Sequence, residues 1–227
     1  MLELENNNSV RVSGEITTEP KFSHEVYGEG FYEFNIKIKR LSDIFDVIPV
    51  TISERLMQEK SLEVGEKVHF IGQYRSYNKL SDNKSKLLLT IFVKEFLEVE
   101  DFDENEIEIT GYVCKEPIYR TTPFNREICD VLLAVNRSYN KSDYIPCIAW
   151  GRNARFVKNF RIGDKVCVSG RIQSREYQKK LDSGEIISKT AYEVSLNRVS
   201  LENENNMQIV KNTIKTANLG EVINYYV

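Results

Sequence analysis

Four cysteines and two histidines are the side chains of this sequence best suited to hold zinc or to act as nucleophile and base. Their spacing suits neither role. Cys114, Cys129, Cys147 and Cys167 form no C-x-x-C pair, and His24 and His69 lie far from them along the chain. A zinc site needs closely grouped ligands. No metal or cofactor is therefore expected, and the cysteines read as small apolar residues on strands. There is no glycine-rich phosphate loop and no histidine-based triad, so the sequence argues against an enzyme. What remains is charge. Residues 1–106 carry 13 basic and 21 acidic side chains, whereas residues 107–201 carry 16 basic and 10 acidic ones. A basic half can face a polyanion, although charges scattered over two solvated surfaces would give the same totals.

The elements that must position these charges come from a core that the composition supports: 41% of the 227 residues are hydrophobic and 11% aromatic. That is enough for two small domains or one large β domain. No apolar run approaches the ~18 residues of a membrane span. The polar, acidic start from Met1 to Asn8 is the opposite of a secretory signal, so the chain reads as cytoplasmic, with no membrane partner.

The sequence repeats itself at an offset of 97. Gly14-Glu15-Ile16-Thr17-Thr18-Glu19-Pro20 returns as Gly111-Tyr112-Val113-Cys114-Lys115-Glu116-Pro117, Phe34 to Arg40 as Val131 to Arg137, and Ile48-Pro49-Val50 as Ile145-Pro146-Cys147. Val64 to Val68 returns as Ile162 to Val166 at an offset of 98, as do Gly72 and Ser76, in Gly170 and Ser174. Blocks kept in order and register mean two copies of one fold, joined at the acidic run Glu98 to Asn105.

In the second copy, strands are expected over Ile107–Glu116, Glu127–Asn136, Asp143–Trp150, Lys165–Tyr177 and Ile186–Leu201, with a short helix over Gly151–Phe160. Gly170, inside the fourth strand, marks a bulge. Three strands, a helix and two strands in about 95 residues predict a five-stranded Greek-key barrel. The fold expected is all-β: two tandem OB-folds, an acidic one over 1–100 and a basic one over 101–201, followed by a tail over 202–227.

The second copy resembles the bacterial single-stranded DNA-binding protein (SSB) family over about Asn105 to Leu201. The residues that carry the likeness are Gly111, Glu116-Pro117, Arg120 and Pro123; Leu133-Ala134-Val135-Asn136-Arg137; Trp150-Gly151-Arg152-Asn153-Ala154; and Gly170 to Tyr177. The first copy is similar only in outline. Tandem barrels in one chain look like the SSBs of a few bacterial lineages, which build four barrels from two chains.

The resemblance implies base stacking on aromatics at Tyr139, Tyr144, Trp150 and Tyr177, with Arg120, Arg152 and Arg175 meeting phosphates. A single tyrosine on a strand packs a sheet more often than it stacks a base; four aromatics with basic neighbours in a family frame favour stacking. Phe124, Phe156 and Phe160 read as core or loop packing. The first copy has Ser42, Val47, Ser53 and Lys79 at the four places, with Tyr74, Arg75 and Tyr77 close by. It is therefore expected to be degenerate in binding aromatics. The family usually ends in an acidic tip, whereas this sequence ends in Ile223-Asn224-Tyr225-Tyr226-Val227, with Met207, Val210, Ile214 and Ala217 at helical spacing. The function expected is non-enzymatic binding of single-stranded DNA in replication, recombination or repair, by a homodimer with replication or repair proteins as partners. The alternative is an OB-fold interaction protein, such as a primosome or plasmid-replication accessory. In either case the protein would be a bacterial or mobile-element nucleoprotein.

Overall fold

A computed structural model describes residues 7–81, 84–99, 101–180 and 184–202. The first half runs β1 (Asn8–Ile16), β2 (Lys21–Val26), β3 (Glu29–Lys39), β4 (Phe45–Ser53), α1 (Glu54–Met57), β5 (Lys67–Ser81) and β6 (Lys84–Phe96). The second repeats the order as β7 (Glu104–Val113), β8 (Ile118–Thr121), β9 (Glu127–Arg137), β10 (Lys141–Trp150), α2 (Arg152–Val157), β11 (Lys165–Lys180) and β12 (Ile186–Glu202). Each half closes on itself. β1 pairs with both β5 and β3, and the ring is completed through β4 and β6. β7 pairs with β11 and β9, and its ring is completed through β10 and β12. These are the two expected OB-folds.

Each barrel also has a strand that the sequence reading did not separate, β2 in the first and β8 in the second. Both are exposed along their whole length. A strand with no buried face has no period-2 pattern to announce it. The helix is shorter than expected: Gly151 takes φ +51 and stays outside α2, and Phe160 is buried beyond its end.

Alternation builds the core. Phe34, Ile36 and Ile38 point inward from β3, as Val131, Leu133 and Val135 do from β9. The long strands bend where the ladder slips, between Ile71 and Gly72 and between Ser169 and Gly170. Only glycine fits there, because a Cβ on Gly170 would sit 2.1 Å from the Ser195 carbonyl oxygen and one on Gly72 2.5 Å from that of Phe92. Beyond each bend an asparagine side chain continues the ladder. Asn8 Nδ2 donates to Tyr74 O at 2.7 Å and its Oδ1 accepts from Tyr74 N at 2.9 Å; Asn105 does the same for Ile172 at 2.8 and 2.9 Å.

The barrels join through β1 and β7, antiparallel, so that all 12 strands form one continuous sheet. Val10 faces Ile107, its own equivalent in the repeat, and the pairs on either side are related by exchange of the two halves: Asn8 with Ile109, Val12 with Asn105. The junction is therefore a pseudo-two-fold, an internal version of a symmetric dimer contact. No helix among the described residues is long and apolar enough to cross a membrane. The helical spacing from Met207 to Ala217 lies outside the described residues.

Candidate nucleic-acid interface

Period-2 alternation along β10 turns Asp143, Ile145, Cys147 and Ala149 inward and leaves Tyr144, Pro146, Ile148 and Trp150 on the outer face. Along β11 the same rule puts Arg171, Gln173, Arg175 and Tyr177 on that face, and β12 adds Glu193 and Ser195 between them. Tyr144, Trp150, Arg175 and Tyr177 thus share one side of the second barrel.

Trp150 ends β10 with 37% of its surface exposed, and its indole Nε1 donates to Ser195 Oγ at 3.2 Å. The bond fixes the ring edge and leaves part of a face open. Tyr144 is half-buried against the cluster of Cys114, Leu132 and Ala134, on which Leu87 of the first barrel also packs. Burial pushes its hydroxyl above the ordinary phenol range. Tyr139 stands alone at the tip of the β9–β10 hairpin, 94% exposed. It and Asn140 both take positive φ, +62° and +55°, within the three residues that join the paired Arg137 and Lys141. Tyr177 lies on the β11–β12 ribbon, half-buried, with the Arg175 guanidinium 5.9 Å from its ring centre.

The three arginines are held differently. Arg120 on β8 donates through Nε to Asp130 Oδ2 at 2.8 Å. Arg175 Nε stands 3.8 Å from Glu193 Oε1, which also accepts from Gln173 Nε2 at 2.7 Å. Burial raises Glu193 above the usual carboxylate range. Arg152, the first residue of α2, is exposed and has no acidic partner among the described residues. A phosphate reaching Arg120 or Arg175 must compete with a carboxylate; one reaching Arg152 does not.

The sequence reading missed what holds Tyr144. Its amide donates to Ser76 Oγ at 2.8 Å, and Ser76 N donates to Asp143 Oδ1 at 2.6 Å, so β5 of the first barrel grips β10 of the second. The pseudo-symmetric contact is also present: Val47 N donates to Ser174 Oγ at 3.1 Å and Ser174 N to Asp46 Oδ1 at 2.7 Å. The buried Asp46 further accepts from Arg40 at 2.6 and 2.8 Å and from Arg171 at 3.0 Å. Asp143 is served less well. Arg137 Nε stands 3.1 Å from its Oδ2, out of line for a hydrogen bond. Burial, only partly offset by Ser76, Arg137 and Arg75, raises its carboxyl above the ordinary range. The signal was present in the sequence, since Asp46 and Asp143 recur at the repeat offset as a charged residue inside an apolar strand.

In the first barrel, Ser53 stands where Trp150 stands in the second, and its Oγ caps α1 by accepting from Leu56 N at 3.4 Å. Tyr74 is fully buried, so it belongs to the core and not to a surface site. Among the described residues no group of histidine, cysteine and acidic side chains could hold a metal ion.

Residues 104–202 match the sequence model of the Single-strand binding protein family. Over 83 residues the chain is 35% identical to Single-stranded DNA-binding protein 1 of Staphylococcus aureus (strain COL), covering 34% of this chain and 50% of that one. It is 34% identical over 83 residues to Single-stranded DNA-binding protein A of Bacillus subtilis (strain 168), covering 34% and 48%. The chain spans about half the length of these curated relatives. The structure superposes on that of wild-type single-stranded DNA binding protein from Thermus aquaticus with a TM-score of 0.67 at 20% identity, covering 87% of this chain and 93% of that one. At that identity the likeness is one of fold, and it spans both barrels.

Proposed function

We propose, starting from a chain that belongs to the single-strand binding protein family through its second barrel, that this protein binds single-stranded DNA without catalysing a reaction on it. The observation that carries the reading is the shared outer face of Tyr144, Trp150, Arg175 and Tyr177. Every base has a π-face, so stacking on such rings tolerates any sequence and contributes about 1–3 kcal/mol per base. The ring of Trp150 is held by Ser195 before the strand arrives, which lowers the ordering cost of binding. Tyr139, at its hairpin tip, reaches a strand from the side. Arg152, Arg120 and Arg175 supply the counterion-releasing contacts. The role is protection and presentation of single strands in replication, recombination or repair, in the cytoplasm, with replication or repair proteins as partners. One chain gives two barrels around a pseudo-dyad, which supports a homodimer that assembles four.

Trp150 is the single tryptophan, so the test is built in. Titration with oligo(dT) quenches its fluorescence, and light scattering before and after gives the mass of the complex. Saturation observed by another method, with the fluorescence unchanged, removes Trp150 from the interface. No binding at all turns the reading to an OB-fold that binds proteins.

A further inference from the structure

The first barrel has lost the family's aromatic positions, yet it carries a row of rings across its outer face. His24 on β2 stacks on Phe31 of β3, with centroids 5.1 Å apart and planes 15° from parallel. Phe31 meets Phe92 of β6 at 5.7 Å, and the guanidinium of Arg75 on β5 lies 3.6 Å over the Phe92 ring. The row thus spans β2, β3, β6 and β5 without a break.

Its position is informative. Phe31 pairs with Ser53, as Ile128 pairs with Trp150. Phe92 faces Thr51 across the parallel ladder, as Ser195 faces Ile148. Phe31 and Phe92 are therefore the equivalents of Ile128 and Ser195, the two neighbours of Trp150. The aromatic surface of the second barrel's Trp150 patch is present in the first barrel too, supplied from the two flanking strands instead of from β4. We propose that this row is a second stacking platform for the same single strand, continuing the path from Tyr144. The inference rests on the second barrel's role as a single-strand binder.

Three observations favour a nucleic acid strand as the occupant. Rings in a row with a guanidinium at one end offer π-faces and a cation together. The row runs toward the second barrel's site: Arg75 adjoins Ser76, whose hydroxyl holds the Tyr144 amide, and it lies within the field of Arg137 and Asp143. Two cations, Arg75 and Lys94, also stand at the β5–β6 end of the row, with Glu25, Glu29 and Glu54 near its His24–Phe31 end. Lys94 shares the face with Phe92 and is lowered by burial and by Arg75, while the nearby Glu33 accepts from Tyr77 Oη and Ser23 Oγ, both at 2.7 Å. Much of the acidic excess lies elsewhere, at Glu59, Glu63 and Glu66 after α1 and at Glu98, Asp101, Asp103 and Glu104 between the barrels.

The test gives the first barrel the second barrel's residues in the full-length chain: Phe31→Ile with Phe92→Ser in one variant, and Arg75→Gln, matching Gln173, in another. Binding is measured with a short oligo(dT) of ~8 nucleotides, which fills one barrel, and a long one of ~30, which spans both. The ring variant is expected to lose about tenfold or more in affinity for the long strand. It keeps wild-type affinity for the short one and wild-type quenching of Trp150, which also shows that it is folded. Arg75→Gln is expected to lower the long-to-short ratio in the same direction and less. A ratio unchanged in both variants overturns the platform and leaves the second barrel's role intact. If the short strand fails to quench Trp150 in the wild type, the second barrel's role falls. Loss of long-strand binding in the ring variant would then still support the row, and its retention would sink it.

Discussion

The two barrels are built to one plan and finished differently. Both bend at a glycine whose place no larger residue can take, both extend the ladder past the bend with an asparagine, and both send an aspartate and a backbone amide to a serine of the other barrel. These positions recur in the sequence because the pseudo-dyad uses each of them twice. The outer faces obey no such rule. Trp150 has Ser53 as its equivalent, a helix cap, and Tyr144 has Val47. The framework is duplicated because the junction requires it, and the binding face is free to change in one copy.

The largest effect expected from this contrast is on binding. Replacing Tyr144 and Trp150 together by Ala removes two stacking platforms, and the loss in single-strand affinity should be about 2–6 kcal/mol at about 1–3 per ring. Val47→Ala, at the position equivalent to Tyr144, should change affinity little. Equal losses in fluorescence-polarisation titrations would mean that the two faces are not specialised.

The next effect is on stability, and it compares the two halves of the junction. Asp46 accepts from Arg40, Arg171 and Ser174 N. Asp46→Ala would leave two arginines without their buried anion, and breaking such a cluster costs about 3–5 kcal/mol. Asp143 has the amide of Ser76 and an arginine in poor alignment, so Asp143→Ala should cost clearly less. Denaturant midpoints of the full-length variants measure both. A costlier Asp143→Ala would reverse the ranking of the two sides.

A smaller effect separates the arginines. For single strands, taking away one cation that neutralises a phosphate flattens the dependence of log K on log salt by about 0.7. Arg152, with no acidic partner among the described residues, should give that full change on Arg152→Ala. Arg120 is tied to Asp130 at 2.8 Å, so Arg120→Ala should give a smaller one. Weaker binding with an unchanged slope would assign either residue to packing.

These comparisons also show what the sequence could and could not reveal. The repeat was legible because its blocks hold buried strand residues and glycines, which tolerate little change. The bulge at Gly170 was legible for the same reason. β2 and β8 were not, since strands exposed on both faces leave no period. Tyr74 was set beside Tyr77 as a nearby aromatic, but it keeps the alternation of Val68 and Phe70 along β5 and fills the core. Of the seven residues expected to bind, Tyr144, Trp150, Arg152, Arg175 and Tyr177 lie on elements that the sequence predicts, whereas Arg120 lies on β8 and Tyr139 in the β9–β10 turn. Contacts between residues 67 or more positions apart, such as Ser76 with Asp143 and Tyr144, depend on how two barrels dock, and no local pattern encodes that. The Ser76 grip has a direct consequence: a second barrel cut from the chain would lose the serine that holds the Tyr144 amide, so the two faces must be compared by point substitutions in the intact protein.

The smallest expected effect concerns the proton on Asp143. Burial raises its carboxyl above the ordinary value of 3.8, against the pull of Ser76 N, Arg137 and Arg75. A carboxyl raised on folding binds its proton more tightly in the native state than in the unfolded one. Its contribution to stability is therefore greatest below 3.8 and declines as pH rises from there through the native value. Asp143→Asn removes this titration, and the amide oxygen can still accept from Ser76 N. Other groups that titrate, the buried Glu193 among them, are the same in both proteins and cancel in the difference. The melting temperature of the wild type minus that of Asp143→Asn should consequently increase on acidification from neutral pH toward the ordinary carboxylate range. A difference that shrinks would mean that Asp143 is held below its ordinary value in the folded chain. The arginines would then outweigh burial, and the junction would be as well paired on the Asp143 side as it is at Asp46.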